Sequence, residues 1–62
     1  MSANDYIKIQ RDGKEYIILH LDAETNQGSE IARKKGLKVA IEWAAKYAGE
    51  NMVEYGLHFG DL

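Results

Sequence analysis

The chain has 62 residues, eight Lys+Arg against ten Asp+Glu for a formal charge of −2, and 45% hydrophobic and 29% charged residues; that balance suits one small globular domain and is too apolar for a disordered tail. Cys is absent, which excludes disulfide staples, Cys-ligated zinc and thiol chemistry, and no apolar run approaches the roughly 18 residues that span a bilayer. Residues 1–5, Met-Ser-Ala-Asn-Asp, are polar, are expected to fray, and lack the basic and apolar regions of a secretory signal, so a cytoplasmic chain is expected.

Tyr6 to Gln10 alternates, with Ile7 and Ile9 on one side and Tyr6, Lys8 and Gln10 on the other, the pattern of a strand. Arg11-Asp12-Gly13 signals a hairpin, and Tyr16 to Leu21, rich in β-branched and aromatic residues, is a second strand. A two-residue Asp12-Gly13 turn would mix apolar and polar groups on each face. A bulged loop with Gly13 left-handed pairs Ile7 with Ile17. It gathers Ile7, Ile9, Ile17, Leu19 and Leu21 on the core face and leaves Tyr6, Lys8, Gln10, Tyr16, Ile18 and His20 outside. The cleaner segregation favours the bulged register.

Asp22 to Gly28 reads as a polar loop. Ser29 is a plausible N-cap for a short helix from Glu30 to Lys35 closed by Gly36. From Leu37 the period is helical: Leu37, Ala40, Ile41, Trp43, Ala44, Ala45, Tyr47 and Ala48 share one broad arc, and Gly49 closes it. A single helix bent near Gly36 is the alternative. Val53 to Phe59 alternates again and gives a third strand. The expected fold is therefore α+β in the order β-β-α-β. It is one domain, a three-stranded sheet with one helical segment, bent or broken near Gly36, packed on one face. Either the second strand lies central with the third parallel to it, or the first lies central in an antiparallel sheet.

Chemistry-bearing constellations are few. His20 and His58, with Glu54, make a minimal metal set, but no recognised ligand spacing supports it, so two solvated histidines are expected and no metal. No nucleophile triad, paired carboxylate or phosphate loop stands out, so neither catalysis nor a cofactor is expected. Arg33, Lys34, Lys35 and Lys38 place four of the eight basic residues within six positions. They are candidate phosphate contacts, although compensation of a helix end is the plainer use. Tyr6, Lys8, Tyr16, Ile18 and His20 on the open sheet, and Trp43 and Tyr47 at the helix edge, are candidate partner-binding residues, because aromatic side chains dominate interface energetics.

A β-β-α-β plan with acidic charge is similar, in architecture only, to small phage-encoded inhibitors such as anti-CRISPR proteins and inhibitors of host RNA polymerase. That resemblance implies a small cytoplasmic protein that blocks a host enzyme or nucleoprotein complex by surface occupation, and it carries no residue's role across. The alternatives are a nucleic-acid-binding module using residues 33–38, or a scaffold or homodimer, a designed one included, with no ligand. So small a core needs efficient packing, oligomerisation or a bound partner in place of disulfides, so either a compact monomer of modest stability or a homodimer is expected.

Overall fold

A computed structural model describes residues 4–60. It is an α+β fold with one helix and a four-stranded sheet: β1 Asp5–Asp12, β2 Glu15–Asp22, β3 Gly28–Lys34, α1 Leu37–Glu50 and β4 Leu57–Phe59. The sheet order is β3-β2-β1-β4. The first three strands pair antiparallel, and β4 lies parallel to β1 on its outer edge. Of the two expected orders, the one with the first strand between the second and the last is observed, but the last strand runs parallel to β1 rather than antiparallel, and an additional strand occupies the free side of β2.

The hairpin register differs from both readings of the sequence. Asp12 pairs with Glu15, leaving Gly13-Lys14 as the two-residue turn. Gly13 takes φ +65, as the first position of a tight II′-type hairpin turn requires, and this turn matches the right-handed twist of the strands. Ile9 then faces Ile18 and Ile7 faces His20. The fully buried core is Ile7, Ile9, Ile18, Ala40 and Ala44, with Tyr16, Ile31, Ala32, Leu37, Ile41, Trp43, Tyr47, Ala48, Val53 and Leu57 packed around it. Ile17, Leu19 and Leu21, expected under the helix, lie instead on the outer face. Tyr16, Ile18 and His20, expected outside, face the helix. Two alanines at the helix contact let α1 approach closely, so three isoleucines fill the space beneath it.

Residues 28–34 are a strand rather than the expected loop and short helix. Glu30, Ala32, Arg33 and Lys34 favour helix locally, but pairing along β2 overrides that weak preference. A bulge opposite Ile18/Leu19 interrupts the ladder. It turns both Ile31 and Ala32 toward the core and places Glu30 and Arg33 together outside, and the added residue bends and twists the strand. Gly28 begins this strand so close to β2 that a Cβ there would lie 1.9 Å from the His20 carbonyl oxygen. Only glycine fits at that crossing.

Gly36 is not a left-handed helix stop. It is the N-cap of α1, with φ −120 and ψ 142. The helix also runs through Gly49. It ends at Asn51, whose backbone and side-chain N–H groups both donate to Tyr47 O at 2.9 Å. Met52 supplies the left-handed reversal with φ 53, and Val53 N–H returns to Ala48 O at 3.0 Å; this is a Schellman closure made without glycine. The last strand is correspondingly short. Of the expected Val53–Phe59 strand only Leu57–Phe59 forms a strand, and Phe59 is 51% exposed.

Two mutational outcomes follow from register and capping. Ile18→Ala should cost about 2–5 kcal/mol and Ile17→Ala distinctly less, read from urea midpoints; equal losses would contradict the observed pairing. Gly49→Ala should stabilise by about 1 kcal/mol, because Gly49 sits within the helix with open space where a Cβ would go. A lower melting temperature would instead mark Gly49 as the terminator.

Candidate functional site

The sheet has one covered and one uncovered face. On the uncovered face the rows across the strands are fixed by pairing. Glu30, Leu19, Lys8 and His58 form one row, and Arg33, Ile17 and Gln10 the next toward the hairpin tip; Gly28, Leu21 and Tyr6 form the next toward the other end. Ile17, Leu19 and Leu21 therefore run as an aliphatic stripe down the central strand. They are half-buried by flanking side chains, and among the described residues no helix or strand packs over them. Tyr6 and Lys8 lie where the alternation places them, beside this stripe.

At the hairpin end of the face Arg33 binds three carboxylates. Its Nε and Nη2 donate to both oxygens of Glu30 at 3.2 and 3.0 Å, and Nη1 donates to Asp12 Oδ2 at 2.8 Å and Glu15 Oε1 at 3.1 Å. Glu30 foremost, then Asp12 and Glu15, raise the Arg33 pKa further above its already high ordinary value. A two-pronged carboxylate contact fixes the guanidinium plane. Three acids around one cation leave this corner of the face negative.

That arrangement dissolves the expected basic cluster. Arg33 points outward into its carboxylates. Lys34 is on the helix side, with Nζ 5.8 Å from the centroid of the Trp43 ring, at cation–π distance. Lys35 lies in the link to α1, and Lys38 is exposed on its first turn. The four residues do not form one phosphate-binding surface.

The covered face carries a hydrogen-bonded chain of titratable groups at its far end. His20 Nε2 lies 2.5 Å from Asp5 Oδ2, and His20 Nδ1 lies 2.9 Å from Tyr47 Oη. A carboxylate only accepts, so Nε2 carries the hydrogen; Nδ1 accepts from Tyr47 when the ring is neutral and donates to it when the ring is charged. Both protonation states are thus satisfied. Asp5 Oδ1 also accepts from Glu54 N–H at 3.1 Å, and Asp5 O accepts from Tyr55 N–H at 3.0 Å. Asp5, expected among frayed residues, joins β1 to β2 and to the segment before β4; residues 1–3 of that expectation lie outside the described residues. Tyr47 in turn stacks on Trp43, with centroids 5.4 Å apart and planes at 13°.

His58 lies on the uncovered face and His20 on the covered one, so the sheet separates the two histidines that a metal set would need. Among the described residues no group of three His, Cys, Asp or Glu is placed to hold a metal, and no helix is long and apolar enough to cross a membrane. No family model, curated protein or solved structure matches the chain.

The Asp5 chain makes acid stability testable. The hydrogen bond from His20, and then that from Glu54 N–H, hold the Asp5 carboxyl below its ordinary 3.8. The folded value is lower than the unfolded one, so folding favours the carboxylate. The contribution is complete above about pH 4 and is lost as the pH falls through the lowered value. Urea midpoints measured across that range should fall with acid in the native chain and fall less steeply in Asp5→Asn. Parallel slopes would show that Asp5 is not a source of the acid sensitivity.

Proposed function

We propose that this protein is a small interaction module that occupies the surface of a partner protein through its uncovered sheet face, without chemistry of its own. The observation that supports this reading is the stripe Ile17, Leu19 and Leu21 on the central strand, flanked by Tyr6, with no described element over it. Of the expected residues, Tyr6 and Lys8 lie on the uncovered face, whereas Tyr16, Ile18 and His20 face the helix and Trp43 and Tyr47 are half-buried against the core. An apolar centre bordered by Lys8, Glu30 and the Arg33 carboxylates has the anatomy of an interface, apolar in the middle and polar at the rim. The likeness to phage inhibitors rests on a β-β-α-β order that the chain does not have, so the proposal stands on this face alone.

One observation favours a second copy of the chain as a partner. The row Glu30, Leu19, Lys8, His58 carries its acid at one edge and its cation toward the other. A two-fold axis along the strands, between two such faces, brings Glu30 of each copy toward Lys8 and His58 of the other and sets Leu21 on Tyr6. That is the self-complementarity an isologous interface requires.

The test is the double variant Leu19→Lys, Leu21→Ser. Its far-UV circular dichroism and cooperative melting should remain, because both side chains lie off the core. Affinity for the partner captured from the source cell, or for a second copy in sedimentation, should fall at least about 30-fold, the scale of losing a hot spot. Undiminished affinity in the folded variant removes this face as the contact surface.

A further inference from the structure

The uncovered face also holds a cleft, at the side where β1 meets β4. Tyr6, Lys8, Ala23, Tyr55 and His58 line about 450 Å³ of open space, within the ~300–1,000 Å³ range of pockets that take small molecules. The walls come from four parts of the chain: β1, the turn after β2, the segment before Gly56, and β4.

Three rings shape it, and one of them is fixed in place. Tyr6 meets His58 edge to face, with centroids 4.8 Å apart and planes at 71°. The Tyr6 hydroxyl donates to Asn26 Oδ1 at 2.8 Å. Asn26 is itself held in the left-handed conformation at φ 59, with its N–H on Asp22 O at 2.7 Å. Tyr55 is 55% exposed beside them, although its backbone is pinned to Asp5. The aromatic surface thus stands ready without ordering the chain, which lowers the cost of binding.

Lys8 contributes the only cationic ammonium of the lining. Its stem passes β4 at Gly60, where a Cβ would come within 2.8 Å of Lys8 Cε. This glycine therefore leaves room for the stem at the end of the cleft remote from Ala23 and Tyr55. No carboxylate lines the cleft, and among the described residues none pairs with Lys8. Aromatic walls accept a flat ring stacked or edge-on, and an ammonium with three donors accepts carboxylate or phosphate oxygens.

We propose that this cleft binds a planar aromatic group carrying one carboxylate or phosphate, with the ring among Tyr6, Tyr55 and His58 and the anion at Lys8. The site shares Tyr6, Lys8 and His58 with the border of the partner-binding face, but it does not need Ile17, Leu19 and Leu21, on which that reading rests.

Amide chemical shifts of the full chain, titrated with 2-naphthoate and with 1-naphthyl phosphate, test it. At least one probe should produce saturable shifts at Tyr6, Lys8, Tyr55 and His58, with a dissociation constant on the order of 1 mM, as ligands of that size make. 2-Naphthalenemethanol, a ring without the charge, and acetate, a charge without the ring, should each bind about tenfold more weakly. Lys8→Gln should weaken the anionic probe about tenfold with the rest of the spectrum unchanged, and Leu19→Ser should leave it bound. The proposal is overturned if neither anionic probe saturates, if the shifts map elsewhere, if the neutral alcohol binds as well, or if folded Lys8→Gln binds undiminished.

Discussion

The two-residue turn at Gly13-Lys14 fixes the partner of every residue in the central hairpin, and with it the face on which each side chain of β2 emerges. Strand pairing has a period of two, so a slip of one residue exchanges the faces entirely. In the observed register Ile18 meets Ile9 under the helix, and His20 reaches both Asp5 and Tyr47. A slipped register would bury Ile17, Leu19 and Leu21 and strand His20 on the outside without either partner. The aliphatic stripe and the Asp5 chain are both consequences of that one turn.

Polar staples compensate for the smallness of the core. Among the described residues only five side chains are fully buried, and all belong to β1, β2 and α1. The strands and segments outside that centre are tied by side-chain hubs. Asp5 gathers His20, Glu54 and Tyr55, while Arg33 gathers Glu30, Asp12 and Glu15 across β3 and the hairpin. Both hubs are partly exposed, where single ion pairs contribute little. Their use lies in geometry: each holds several chain segments to one point, and each sits at an opposite end of the sheet.

Legibility in the sequence followed periodicity. The helix from Leu37 shows an uninterrupted 3.6-residue period, and the two hairpin strands show β-branched composition, so all three were readable. The break at Gly36 was readable as a discontinuity but not as the junction of strand and helix. β3 escaped because its bulge puts Ile31 and Ala32 on one side and Glu30 and Arg33 on the other, a pattern with neither period, built from residues that favour helix. The one local clue was Ile31, which a helical continuation left facing solvent. The register escapes because aliphatic segregation alone takes no account of what the helix offers, two alanines and a tyrosine hydroxyl. That hydroxyl gives His20 a reason to face inward. The cleft and the Arg33 hub join residues as far apart in the chain as Tyr6 and His58, or Asp12 and Arg33, and no spacing rule reaches that far.

The central place of β2 has a bearing on how the chain avoids self-association into fibrils. Tyr16-Ile17-Ile18-Leu19-His20-Leu21 contains no acidic residue, Lys, Arg, proline or glycine and is strongly β-forming, the composition of a segment that stacks into cross-β aggregates. In the native sheet both of its backbone edges are paired, by β1 and β3, so it offers no template. The exposed edges fall to a bulged strand bearing Glu30, Arg33 and Lys34 and to a strand of only three residues, two devices that discourage edge-to-edge growth. Protection of the first edge is local and rapid to form, since the β1–β2 hairpin closes across two residues. Protection of the second waits on β3. Until β3 docks, that edge of β2 stays unpaired, so the strand that carries the aggregation-prone segment depends on β3 for its second cover.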